Sequence, residues 1–243
     1  QEKLDRYIAR GGNLVIAGEV GRQDVMNPLV EQFGVRFLPG VLVQVKQDIQ
    51  PDLMIVNATP EAGEMSYFFQ EMLIGRNAKI VMNGAAGLAY TEDRGFKVTE
   101  ILRTDTTGCW NEMETRDFVN DSVILNTAAG EVEAMYPVAL ALSRKVGDRE
   151  QRIMILGDAD CISNAELGVD REFRRSNYAL IDGMFRWLVY DEYPIDISRP
   201  AAKDNDVYLT PAGFAWVKIF LRWICPALIV VCGCLIWVMR RMK

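Results

Sequence analysis

Seventeen consecutive residues near the C-terminus, Trp223 to Met239 (WICPALIVVCGCLIWVM), carry no charge, and Arg240, Arg241 and Lys243 close the run. A helix rises about 1.5 Å per residue and a bilayer's hydrocarbon is about 30 Å thick, so seventeen residues is the short limit for a membrane span. Phe214 to Phe220 extends the apolar character backwards, which leaves Lys218 and Arg222 to snorkel to the outer interface beside Trp216 and Trp223. A core helix would have to be apolar on every face and end in a basic cluster after a folded domain was complete, so the span is the better reading. Arg240 and Arg241 with Lys243 outnumber Lys218 and Arg222, which favours a cytoplasmic C-terminus. The expected division is then an extracytoplasmic α/β domain over 1–193, a linker over 194–210, a transmembrane helix with its juxtamembrane turn over 211–239, and a basic cytoplasmic tail over 240–243. The expected location is the inner (cytoplasmic) membrane, with the soluble domain periplasmic or extracytoplasmic.

The formal net charge is -6, and no basic patch interleaved with aromatics occurs before the span, which excludes a nucleic-acid surface. Histidine is absent, so Ser-His-Asp and Cys-His catalysis and every histidine-containing zinc site are excluded for this sequence. Of five cysteines, Cys225, Cys232 and Cys234 lie in the span; Cys109 and Cys161 remain, and a single bridge between them stays open. No cofactor is expected. Gln1 already sits in a helical pattern with no signal peptide before it, so the chain is expected to be the C-terminal piece of a larger protein.

In chain order, Leu4, Tyr7 and Ile8 form one helical face, Gly11 and Gly12 stop it, and Asn13 to Gly18 (NLVIAG) is a short apolar strand. Asn27-Pro28 reads as a helix start and Gly34 as its end. Strands follow at Val41 to Val45 and Leu53 to Asn57. Met65, Phe68, Phe69, Met72 and Leu73 recur at helical spacing before a strand at Lys79 to Gly84; this stripe reads as core. Continuous apolar strands alternating with helices predict an α/β fold, flavodoxin-like or Rossmann-like, with a mostly parallel sheet covered on both faces. FKVTEILRT from Phe96 alternates as a strand does, and DTTGCWNEMETRDFVNDS reads as a long polar loop. Tyr136 to Lys145 and Arg152 to Gly157 are neighbouring strands joined by a charged turn, GDREQ, and Asn177 is expected to cap a last helix with Ile181, Met184, Phe185, Leu188 and Val189 toward the sheet.

The sharpest candidate site is GDADCISN, because α/β sheets place ligands at the carboxyl ends of parallel strands. Asp158, Asp160, Ser163 and Asn164 are its candidate ligand-binding residues; a turn or capping role is the competing reading. Cys161 could act as a nucleophile only with a carboxylate base, and Gly84 and Gly87 of NGAAGLAY do not make a dinucleotide fingerprint. No catalytic constellation and no metal set emerges.

Five stretches together, LDRYIARGGNLVIAG, NPLVEQFGV, RIMILGDADCISN, SNYALIDGMFRWLVYDE and YLTPAGFAWVKIF running into CPALIVVCGCLIWVMRR, resemble the GldG family. These are auxiliary extracytoplasmic components of ABC-2 type exporters, first associated with gliding motility in Bacteroidetes. The resemblance implies a flavodoxin-like or amidotransferase-like domain without amidotransferase residues. Its implied partners are an ABC permease, through it an ABC ATPase, and membrane lipid. The expected function is therefore a non-catalytic, membrane-anchored accessory domain working by contact with the permease. Two alternatives stay open: an extracytoplasmic module binding a glycan or peptide at the GDADCISN edge and the Cys109 to Asn120 loop, or a degenerate amidotransferase-like hydrolase.

Overall fold

The computed structural model describes residues 2–46, 49–168, 176–192 and 211–242. The chain divides into two compact units, Gln1–Ile195 and Asp196–Lys243. The expected linker at 194–210 lies outside the described residues.

The first unit is built on a six-stranded sheet. Its strands are β1 (Leu14–Ala17), β4 (Leu53–Ala58), β5 (Lys79–Asn83), β7 (Lys97–Arg103), β9 (Pro137–Val146) and β10 (Arg149–Leu156), in the order β1-β10-β9-β7-β4-β5. Two small antiparallel pairs flank it: β2 (Val35–Phe37) with β6 (Leu88–Tyr90), and β3 (Val41–Gln44) with β8 (Cys109–Glu112). The α/β class holds, but the sheet is mixed rather than mostly parallel. Only β1 runs parallel to its neighbour, β10, and the other four pairings are antiparallel. A continuous apolar run reports burial on both faces and says nothing of strand direction, which the connections decide. Between β9 and β10 the connection is only Gly147 and Asp148, with Gly147 at φ +63°, and so short a turn can only return the chain antiparallel.

The expected two-sided burial is present. Along β10, Met154 and Leu156 point into one core with Phe69, Leu180 and Met184, while Ile153 and Ile155 point into another with Ile8, Val30 and Phe33. The first face carries the helix Asn177–Leu188 and the second the helices Glu2–Ala9 and Gln23–Val30. At about 25 cal/mol per Å² of buried apolar surface, these two cores are the main stabilising term.

Several local expectations shift. The second helix begins at Gln23, four residues before Asn27, so Pro28 lies inside it. The Met and Phe stripe is a broken element: helix Pro60–Met65, an extended Ser66 at ψ 127°, then a short turn and a π-helical stretch Gln70–Ile74 that still buries Phe69 and Leu73. The long polar loop contains β8, because Cys109 and Trp110 bury against β3. Cys109 and Cys161 are both buried and both free, so the bridge is not formed.

The second unit, within its described residues, is a single run of helix: Pro211–Ile219, a π-helical turn Phe220–Ile224, and Cys225–Arg241. Pro226 has no N–H for the Arg222 carbonyl, and the helix accommodates this by widening, with Cys225 N–H donating to the Phe220 carbonyl. From Gly213 to Arg241 it is 29 residues long with a mean hydropathy of 2.4 in its most apolar window, none of it buried. It is long and apolar enough to cross a membrane. Trp216, Lys218, Arg222, Trp223, Arg240 and Arg241 are all exposed on it, with Lys218 Nζ 4.8 Å over the Phe214 ring and the Arg241 guanidinium 5.2 Å over Trp237.

Candidate functional site

The carboxyl end of β10 leads into Gly157, Asp158 and a short 3-10 turn, Asp160–Ile162. In an open α/β sheet a ligand crevice would lie here, but the chain's own backbone fills it. The Asn83–Gly87 loop closes over the strand end: Ala86 N–H donates to the Gly157 carbonyl at 2.9 Å, and Gly157 N–H to the Val138 carbonyl at 2.8 Å. A Cβ on Gly157 would stand 2.2 Å from the Ala86 carbonyl oxygen, and one on Gly18 would stand 2.4 Å from the Phe37 ring. Glycine at these two positions is what lets the loop and Phe37 approach so closely.

Asp158 is 2% exposed. One carboxylate oxygen accepts from Asn83 N–H at 3.0 Å and the other from Asp160 N–H at 2.7 Å, so the side chain ties the end of β10 to the end of β5. Burial pushes its carboxyl up to about 7, against the downward pull of those two donors, with Asp160 and Glu19 adding to the rise. Asp160 and Asn164 are exposed and Ser163 is half-buried. Ser163 Oγ accepts from Glu166 N–H at 3.2 Å, a capping bond for the short helix Asn164–Gly168. The four predicted residues thus share one turn, and the buried one serves as a clasp.

Cys161 is buried and its Sγ donates to the Asp158 carbonyl at 3.2 Å. Burial, with Asp158 and Asp160 beside it, drives the thiol far above its ordinary range, so the thiolate that nucleophilic attack requires is suppressed. Among the described residues no group of three or more cysteine, aspartate or glutamate side chains could hold a metal ion.

Two asparagines do work that sequence reasoning missed. Asn177 does not cap its helix. It is 1% exposed; its Oδ1 accepts from Val81 N–H at 3.0 Å, and its Nδ2 donates to the Val81 carbonyl at 2.7 Å and the Cys161 carbonyl at 2.8 Å. Asn27 repeats the device on β2, accepting from Phe37 N–H at 2.8 Å and donating to its carbonyl at 3.2 Å. Each amide stands in for a neighbouring strand at an otherwise open edge. An Asn before a helical run carries the same signal whether it caps or clasps, so only the fold separates the two.

A second concavity opens on the sheet face between helix Pro60–Met65 and helix Asn177–Leu188. It encloses about 660 Å³, and Glu61, Tyr90, Thr99, Ser143, Arg152 and Trp187 are among the side chains lining it. Arg152 is held there on all sides: its guanidinium bonds Glu150 at 2.7 Å, donates to the Trp187 carbonyl at 2.6 Å, and lies 4.4 Å over the Tyr190 ring.

No protein-family model matches the chain, and no curated protein matches it. What fold and site define together is a mixed α/β domain followed by a helix able to cross a membrane, with its strand-end polar groups engaged in closing the fold.

Proposed function

We propose that this chain is a non-enzymatic, membrane-anchored accessory domain of an ABC-type transport system, acting by contact with a permease and through it with an ATPase. The observation that carries the reading is the helix Gly213–Arg241, long and apolar enough to cross a membrane and not buried among the described residues. The resemblance to GldG-like proteins supplies the permease. Burial of Asp158 and Cys161 supports a role without catalysis. Arg240 and Arg241 favour a periplasmic or extracytoplasmic domain on an inner membrane.

The test lies at Gly233, where an added side chain would meet nothing within 4 Å among the described residues. Gly233→Leu is expected to leave insertion intact and weaken co-purification with the permease, because it blocks close helix approach. Full co-purification of this variant, and of a chain ended after Ser198, would reduce the helix to an anchor. Absence of co-purification by the wild type would sink the contact reading itself. The groove of about 660 Å³ favours a second reading, a module binding a glycan or peptide. A melting temperature raised by such ligands, and not after Ser143→Trp, would support it.

A further inference from the structure

Between Met113 and Met135 the chain holds five carboxylates and one cation, Arg116, a local charge of -4. The segment is anchored from below. Phe118, Val123 and Leu125 pack on Val41, Val43 and Trp110. Two buried carboxylates fix its backbone: Glu112 accepts from Glu114 N–H at 2.9 Å and Thr115 N–H at 3.2 Å, and Glu131 from Met113 N–H at 2.9 Å and Asn126 N–H at 2.6 Å. Above that floor the pattern reverses. Val119 is 82% and Ile124 73% exposed, while Glu114, Asp117, Asp121 and Glu133 also face solvent, with Arg116 the one exposed cation of the loop. Apolar side chains held outward by a loop whose backbone is tied down from below, amid a net negative charge, are what an interaction surface requires, since part of the ordering cost of binding has already been met.

We infer that the loop Met113–Met135 is a docking surface for a partner protein segment in which lysine or arginine flanks exposed aliphatic side chains. Charge complementarity selects this occupant: an acidic partner, or an anionic lipid surface, would be repelled by the rim. The inference rests on the contact reading above and names the face through which contact is made.

The full chain in discs of zwitterionic lipid is titrated with three fluorescent peptides, one of alternating lysine and leucine, one of lysine and glycine, one of glutamate and leucine. The lysine–leucine peptide is expected to bind at least about tenfold more tightly than either other, and to weaken about tenfold between roughly 50 and 300 mM salt. Val119→Ser with Ile124→Ser should weaken it about tenfold at unchanged melting temperature, while Val25→Ser, at an equally exposed site outside the loop, should not. Equal affinity of the double variant and the wild type, or of the lysine–leucine and glutamate–leucine peptides, overturns the inference. Because the titration uses purified chain, its failure is distinguishable from failure of permease co-purification, which would sink the contact reading instead.

Discussion

Asn177 shows how much of this fold hangs on a single amide. Its three bonds join edge strand β5 to the turn after β10, in a place water does not reach. Asn177→Ala would leave two carbonyls and an N–H unpaired, and is expected to lower stability by about 2–4 kcal/mol in urea unfolding. Asn177→Asp should do at least as much harm, since a carboxylate would face the Val81 and Cys161 carbonyls. Asp158 makes a prediction of a different kind. Its folded value of about 7 lies above the ordinary 3.8, so between those values the folded protein keeps a proton that the unfolded chain has lost. The contribution of Asp158 is therefore largest in acid, falls as pH rises from about 4 to about 7, and levels off above, a change on the order of a few kcal/mol. Asp158→Asn should flatten that slope in melts run across pH, at the cost of one unpaired backbone N–H, because its amide can accept from Asn83 or Asp160 but not both. An unchanged slope would mean that another group titrates.

Element packing turns on two glycines. A Cβ on Gly183 would stand 2.3 Å from the buried Phe69 ring, so the helix Asn177–Leu188 sits on the sheet only as closely as glycine allows. Gly183→Ala is expected to cost about 1–3 kcal/mol by overpacking. Gly157→Ala should cost more, because its clash is with the Ala86 backbone, which is bonded back to Gly157 and cannot rotate away as a ring can. Thermal melts of the two variants give the ranking; equal or reversed losses would show that the Asn83–Gly87 loop yields more readily than helix packing does. The same elements explain what the sequence disclosed at this level. The β9 and β10 neighbours were legible because the charged stretch GDREQ between two apolar runs is a turn signal, though the strand takes in Arg149 to Gln151 of it, whereas β8 was hidden in polar text: Glu112 and Asn111 are buried with Cys109 and Trp110, and no periodicity announces a polar strand.

For the molecule as a whole, orientation is the expectation most open to a direct check. With Arg240 and Arg241 on the cytoplasmic side, an impermeant thiol reagent should label a cysteine placed at Ala201 and miss one added after Lys243. The reverse pattern would put the soluble domain in the cytoplasm and remove the extracytoplasmic part of the proposal. Native Cys109 and Cys161 should stay unlabelled in the folded protein, since both are buried.

The sequence by itself determined the apolar C-terminal helix, the presence of both helices and strands in one α/β domain and the two-sided burial of the central strands, but not the order of helices and strands, since β5 to β10 follow one another with no α-helix between them. Each is written locally, in hydropathy, periodicity and turn residues that act over a few positions. Only the tertiary structure decided that the sheet is mixed, that Asn27 and Asn177 clasp strand edges, and that the strand end at Asp158 is closed by the Asn83–Gly87 loop. Those outcomes depend on which backbone groups are left without strand partners once the sheet has formed, such as those of Val81 that the distant Asn177 side chain meets, and no local pattern records that pairing.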